Sequence, residues 1–321
     1  MDEPLTLWKT LRYGAEAAVF FLFMGLFKLL GLDAASALGG FIGRHILYHL
    51  PVVGRARENL KTAYPTMSDK DVESTLREMC DNLGRVTAEY PYLDRFAFDG
   101  PRIELSGREN GDTAFATGKG VMFISGHFAN WEMMPSIAQQ LGYEGAIVYR
   151  PPNNPYVDRW VSRQRCKRGP KEQVTKGAAG TRRIFTLLRK GKSICILVDQ
   201  KTAEGVPAPF FGRDAMTTHA PAILALRLGA LLVPASAERL DGARFRVRIH
   251  EPISFEPSGD HEKDVLALTA KINRTIEDIV RSRPSQWLWI HRRWTTPRDL
   301  KKAQALGGSG VGVEREGSSL T

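Results

Sequence analysis

An imidazole and a carboxylate lie five residues apart in the run Ile124-Ser125-Gly126-His127-Phe128-Ala129-Asn130-Trp131-Glu132. Histidine is the side chain whose ordinary pKa sits near neutrality, so it can accept a proton there, and a nearby carboxylate fixes its tautomer and steadies the imidazolium. The spacing carries geometric information. At about 100° per residue, five steps along a helix rotate one side chain about 140° from the other, so two fully helical residues would face apart. His127 is therefore expected in a turn ahead of the helix that begins near Glu132, with its ring leaning back across the first turn, where free N–H groups favour developing negative charge. The bland alternative is a half-buried histidine beside a solvated glutamate.

The elements that must position this pair read as an alternation of strands and helices. Apolar runs at Gly120 to Ser125, Ala146 to Tyr149, Ile194 to Val198 and Leu231 to Ala235 have strand length, and helical segments such as Arg182 to Arg189 and Ala220 to Leu228 separate them. This pattern predicts an α/β fold, with a central, mostly parallel sheet flanked by helices and an N-terminal membrane-anchoring helical segment. Val72, Leu76, Met79, Leu83 and Val86 recur at helical spacing after a candidate cap at Ser68, giving an amphipathic helix expected to pack under the catalytic unit. Phe245, Val247 and Ile249 alternate with polar residues, as in an edge or half-exposed strand, and Val265, Leu268, Ile272, Ile276 and Ile279 mark a last amphipathic helix. Ligand sites in parallel sheets lie at the carboxyl ends of strands, and His127 and Asp199 both follow strand-like runs.

The chain has 321 residues, enough for one large core, with 45 Lys and Arg against 35 Asp and Glu. That balance favours partners bearing phosphate or carboxylate. Twelve of the cations fall between Arg159 and Lys192, against the single acid Glu172. They form either a solvated face or a surface for anionic headgroups. No helix-turn-helix, RNA-recognition or zinc pattern accompanies them, which argues against nucleic acid. Cys80, Cys166 and Cys195 are far apart, as expected of reduced thiols in a cytosolic compartment. Metal catalysis is not expected, because His127 and Glu132 do not form a His-Glu-x-x-His helix.

Ala17 to Phe27 is an unbroken apolar run, resuming after Lys28. It lacks the basic start and cleavage pattern of a signal peptide. A helix here could span a bilayer or insert monotopically, although Lys28 and Asp33 would be costly at mid-membrane; a buried helix pair is the alternative. Arg44, Arg55, Arg57 and Lys61 follow, favouring a cytosolic position for the rest of the chain. The expected organisation is an anchor over residues 1–45, a catalytic domain over 46–306 and a disordered Gly- and Ser-rich tail over 307–321.

The His127/Glu132 run resembles the His, four residues, acidic residue motif of the glycerolipid and lipid A acyltransferase superfamily. Further blocks are similar to the lipid A late (secondary) acyltransferases: Val148-Tyr149-Arg150-Pro151, Asn154-Pro155 with Asp158, Asp199-Gln200, Pro209-Phe210-Phe211-Gly212, Leu232-Val233-Pro234, and Gln286-Trp287-Leu288-Trp289-Ile290-His291-Arg292-Arg293-Trp294. They occur in the family's order from Arg57 to Arg298. The Phe-Pro-Glu-Gly phosphate-binding block of glycerol-phosphate acyltransferases is absent, and Val198-Asp199-Gln200-Lys201 reads as the Asp-Gln variant of its block.

The resemblance implies His127 and Glu132 as the catalytic pair, Arg165 as an active-site arginine braced by Asp199, and Arg150 and Gln200 as substrate-binding residues. It implies a Kdo-bearing lipid A precursor as acceptor, acyl-acyl carrier protein as donor, no cofactor, and a place on the cytosolic face of a bacterial inner membrane. Arg165 would stabilise an oxyanion or hold a phosphate. No Gly-x-Ser-x-Gly nucleophile occurs, so direct attack by the acceptor hydroxyl is expected, without an acyl-enzyme. Another membrane glycolipid or lysophospholipid as acceptor, acyl-CoA as donor, or a non-catalytic lipid-binding role are the alternatives. Trp287, Trp289 and Trp294 read equally as interface or core residues; His291 and His219 are left out of the chemistry.

Overall fold

A computed structural model of the chain describes residues 6–202 and 204–294. The predicted tail at 307–321 and the end of the predicted catalytic domain lie outside the described residues. Four helices come first: α1 (Leu7–Leu30), α2 (Leu32–His45), α3 (Val52–Ala63) and α4 (Asp69–Glu89). An alternating series follows: β1 (Ile103–Ser106), α5 (Arg108–Ala116), β2 (Val121–Ser125), α6 (Met133–Gln140), β3 (Gly145–Tyr149), α7 (Pro155–Arg165), β4 (Glu172–Thr175), α8 (Ala178–Arg189) and β5 (Ser193–Leu197). Next come β6 (Val206–Phe210), β7 (Arg213–Thr217), α9 (Ala220–Leu228), β8 (Leu231–Asp241), β9 (Arg244–Ile249) and α10 (His261–Ser282).

Seven strands form one sheet in the order β1-β9-β8-β2-β5-β3-β4, while β6 and β7 make a separate antiparallel hairpin. All neighbours in the large sheet are parallel except β8 and β9. The predicted α/β class with a mostly parallel sheet is therefore correct. β2 is buried along its whole length, as expected for a parallel strand covered on both faces. β9 alternates as predicted, with Phe245, Val247 and Ile249 inward, but it lies between β1 and β8 rather than at an edge.

Local chemistry sets the helix boundaries. Ser68 caps α4, its hydroxyl accepting from the Asp71 N–H, and Val72, Leu76, Met79 and Val86 turn inward. Asn154 caps α7 through the Tyr156 N–H, with Pro155 in the first turn, and Asp260 caps α10.

Helix α2 lies directly on α4, backbone against backbone. A Cβ on Gly84 would come within 2.0 Å of the Gly39 carbonyl oxygen, and one on Gly43 within 2.0 Å of the Cys80 carbonyl oxygen. Helix α1 behaves differently. Ala17, Met24 and Phe27 are buried, whereas Leu7, Trp8, Leu11, Val19, Leu22, Phe23, Leu26 and Leu29 are exposed. The helix is long and apolar enough to cross a bilayer and is a candidate membrane anchor. The predicted segment thus divides: its first half presents an exposed apolar face, and its second half packs one face on α4.

The two charges thought costly there are both tied to the body. Lys28 donates to the Pro91 carbonyl and sits 4.5 Å from the Tyr92 ring centre, and Asp33 forms a two-pronged pair with Arg102. Phe20 and Phe21 pack edge-on against Trp160 of α7.

The α2/α4 contact yields a prediction. Gly84→Ala forces the two backbones apart and lowers stability by about 1–3 kcal/mol, measured as a loss in the thermal unfolding midpoint of the detergent-solubilised protein. An unchanged midpoint would show that the helices separate freely.

Candidate active site

Because β2 and β5 are adjacent and parallel, the residues following them emerge at the same rim of the sheet. His127 leaves the end of β2 and Asp199 the end of β5. Gly126 makes room between them, since a Cβ there would lie 3.0 Å from Asp199 Oδ2. Asp199 is buried, and its Oδ2 accepts from the His127 backbone N–H at 2.7 Å and from Trp287 Nε1 at 2.8 Å. Its Oδ1 is 2.8 Å from His127 Nδ1. An ionised carboxylate can only accept, so Nδ1 carries the proton and Nε2 presents its lone pair to the site. Burial by itself would raise the Asp199 pKa, but the positive charge of His127 and the donors around the carboxylate outweigh it and hold the group far below the usual carboxylate range.

Glu132 sits at the N-cap position of α6 and is buried. Its two oxygens accept from Arg165 Nε and Nη2, both at 2.6 Å, a fork-to-fork pairing. Oε1 also accepts from the Tyr90 hydroxyl at 2.7 Å and from Trp131 Nε1 at 3.1 Å. Against its own burial, the Arg165 charge and these donors keep the Glu132 pKa below the ordinary value. The Arg165 Nη1 atom is buried without a partner.

The partners are thus exchanged relative to the sequence reading. Glu132 was expected to hold His127, and Asp199 to brace Arg165; instead Asp199 holds His127 and Glu132 holds Arg165. The turn between β2 and α6 is the cause. Phe128 pairs with Trp287 as an isolated bridge, Leu288 N–H donates to the His127 carbonyl, and Ala129 takes a left-handed φ of 46°. This folds His127 back over β5 while Glu132 continues into α6 on the other side.

Four residues of this set, His127, Glu132, Arg165 and Gln200, line one cavity of about 430 Å³, and Arg150 lines it as well. Asp199 stands behind His127. The interior is apolar, with Phe123, Ile137, Ile147, Ala235 and Val247, whereas Arg150, Arg165 and Lys176 supply positive charge. Of the basic stretch, Arg183 pairs with Glu172 and Lys192 with Glu144, so part of it is a neutralised surface.

Sequence reasoning missed His291. It lines the cavity, and Gln200 Nε2 lies 3.2 Å from both His291 Nε2 and His127 Nε2. Burial first, then the neighbouring positive charge of His127, push the His291 pKa down to about 4, leaving it neutral. Asn59 of α3 fixes this segment by donating to the Trp289 and His291 carbonyls. The tryptophans are core residues, and Trp287 is also a donor to Asp199. His219 lies at the start of α9 and does not line the cavity.

Asp199→Asn removes the charge that fixes the His127 tautomer. Because the folded-state pKa of Asp199 is depressed, its stabilisation is present above the unfolded value near 3.8 and is lost as pH falls through and below it. The stability gap between the parent protein and Asp199→Asn should therefore be full at pH 6 and shrink towards pH 3, as followed by denaturant unfolding. A gap independent of pH would contradict the assignment.

The sequence model describing bacterial lipid A biosynthesis acyltransferases matches residues 5–296. The chain is 27% identical to the lipid A biosynthesis palmitoleoyltransferase of Escherichia coli K12 over 247 residues, covering 75% of this chain and 78% of that protein. It is 27% identical to the lauroyltransferase of the same organism over 252 residues, covering 74% and 77%. A phosphatidylinositol mannoside acyltransferase of Mycobacterium tuberculosis is 23% identical over 196 residues, covering 59% of each chain. The chain is an acyltransferase and belongs to the bacterial lipid A biosynthesis acyltransferase family.

Proposed function

We propose that this enzyme transfers a fatty acyl group from acyl-acyl carrier protein to the hydroxyl of a 3-hydroxyacyl chain on a Kdo-bearing lipid A precursor, at the cytosolic face of the bacterial inner membrane. The observation that carries this reading is that the His127/Asp199 dyad presents its imidazole to a cavity lined both by apolar residues suited to hydrocarbon and by Arg150, Arg165 and Lys176, suited to a phosphorylated headgroup. The named activities of the two Escherichia coli relatives support the acceptor class.

In this mechanism His127 Nε2 removes the proton of the acceptor hydroxyl as its oxygen attacks the thioester carbonyl. Asp199 holds the ring and stabilises the imidazolium, the role first expected of Glu132. Glu132 instead fixes the Arg165 guanidinium, whose positive charge at the cavity wall stabilises the negative charge that develops on the carbonyl oxygen. Collapse of the tetrahedral intermediate breaks the C–S bond, and the departing thiolate takes the proton back from Nε2. Ester and free thiol leave, with no acyl-enzyme. Arg150 and Lys176 neutralise acceptor phosphate, and Gln200 withdraws from Nε2 as the hydroxyl arrives.

The bare apolar face of α1 gives the enzyme its seat in the lipid, with the opposite face resting on α7. Arg44, Arg55, Arg57 and Lys61 follow the anchor on the side where acyl thioesters are made.

His127→Ala should abolish transfer, by about 1000-fold or more, while folding and lipid binding persist. Purified protein in detergent, offered acyl-carrier-protein and acyl-CoA donors against lipid A precursors and a mannosylated phosphatidylinositol, tests the donor and acceptor. Near-parental transfer by His127→Ala sinks the mechanism, and preference for the mannoside sinks the acceptor. Ala235→Phe should fill the apolar interior and shorten the transferred chain by about two to four carbons, since a phenyl group replaces a few methylenes of volume. Mass spectrometry of the acylated product reads this directly, and an unchanged chain length would place the hydrocarbon elsewhere.

A further inference from the structure

The catalytic turn is gripped by a buried polar network centred on residues that do not themselves line the cavity. At its centre is Glu89, the last residue of α4, whose side chain is fully buried. Glu89 Oε2 accepts from Asn130 Nδ2 at 2.8 Å, and Asn130 Oδ1 in turn accepts from the Glu132 backbone N–H at 3.3 Å. Oε1 accepts from Ser36 of α2 at 2.7 Å and from Arg239 of β8 at 2.5 Å. Arg239 Nε donates to Asn82 Oδ1 at 2.8 Å, and Asn82 Nδ2 donates to the carbonyl of Ala129 at 3.2 Å. Arg239 also donates to the Gly242 carbonyl, and its guanidinium lies 4.5 Å from the Phe245 ring centre.

Ala129, one of the four residues between His127 and Glu132, has to hold a shape it would not take alone. Ala129 adopts the left-handed region, which costs a residue with a Cβ on the order of 1 kcal/mol or more and persists only where surrounding contacts impose it. Its N–H is fixed by the Gln286 carbonyl and its carbonyl by Asn82; Asn130 is fixed by Glu89. Gln286 itself exchanges two hydrogen bonds with the Arg239 backbone. The routes through Asn82 and Asn130 therefore lead to the Glu89/Arg239 pair, and the route through Gln286 leads to the Arg239 backbone. A buried ion pair contributes little net stability compared with apolar packing, so its charge and hydrogen-bond directionality are better explained by positioning.

We propose that Glu89 is a positioning residue of the acyl-transfer reaction: through Asn130 and through Arg239 and Asn82, it holds the strained turn that aims His127 at Asp199 and Glu132 at Arg165. This rests on the proposed role of His127. The same carboxylate binds Ser36, so the helix that follows the membrane segment shares the anchor of the catalytic turn.

The test compares Glu89→Gln, Asn130→Ala and the double variant in detergent, with His127→Ala alongside, each rate being normalised to the folded fraction from thermal melting. Asn130→Ala leaves the Glu89/Arg239 pair intact and so keeps the experiment informative if Glu89→Gln folds poorly. The expected result is a kcat lowered roughly 10- to 100-fold in each single variant, the size associated with loss of a charged hydrogen bond, with KM for donor and acceptor unchanged. The double variant should be no slower than Glu89→Gln alone, because the Asn130 contact is one of the paths that Glu89→Gln already breaks. A kcat within twofold of the parent in the folded single variants, or multiplying losses in the double, overturns the proposal. If His127→Ala also stays active, the reading of His127 fails instead; if only the Glu89 and Asn130 variants stay active, the positioning role alone fails.

Discussion

One buried carboxylate organises this molecule's chemistry. Asp199 stands at the end of β5 with donors from the His127 backbone, the His127 ring and the Trp287 indole converging on it. Those donors come from the turn after β2 and from the segment after α10, so one side chain joins three distant stretches of sequence. An isolated ionised carboxylate in this position would cost several kcal/mol or take up a proton. Satisfied as it is, it stays charged and dictates which imidazole nitrogen is protonated. The glycine before His127, the bridge between Phe128 and Trp287 and the adjacency of β2 and β5 are all conditions for that satisfaction.

A second carboxylate carries out a different task with the same physics. Glu132 meets Arg165 through both oxygens, and this fork fixes the plane of the guanidinium and leaves one nitrogen uncommitted. A lysine could supply the charge but not the plane. The two acids thus divide the work, one orienting a base and the other a cation. Their separation depends on the turn between β2 and α6, whose left-handed Ala129 reverses the chain in a few residues. The buried pair of Glu89 and Arg239 beneath that turn explains why such a conformation is maintained.

Much of the scaffold was legible from the sequence, for identifiable reasons. The apolar runs ending at Ser125, Tyr149 and Leu197 became parallel strands, because strands buried on both faces read as continuous hydrophobic segments. Ser68 and the residues spaced after it gave α4 with its cap. What escaped was direction. Spacing located His127 in a turn but could not tell towards which acid the turn points, so the carboxylate partners were exchanged. His291 escaped because its segment reaches the site through long-range contacts, the Phe128/Trp287 bridge, the Leu288 N–H to the His127 carbonyl and the hydrogen bonds from Asn59. The apolar run from Leu231 pointed to a strand ending near Ala235, whereas pairing with β9 carries β8 on to Asp241 through residues of mixed polarity. Resemblance to a family supplied the site residues, while the structure supplied their pairing.

The charge states around the cavity follow a single logic. The proposed reaction, which takes a proton from one oxygen and returns it to one sulfur, needs one group that exchanges it and neighbours that do not. Asp199 and Glu132 are held ionised by their donors, Arg165 is held cationic against Glu132, and burial keeps His291 neutral. Burial likewise pushes the Cys195 thiol on the cavity wall up to about 12 and the Tyr90 hydroxyl well above its usual range, so neither competes. The apolar wall of the cavity also limits water around these groups and makes their charges firm. In the proposed mechanism the proton passes through His127 Nε2, because His127 lines the cavity and has Asp199 behind its ring to stabilise the imidazolium.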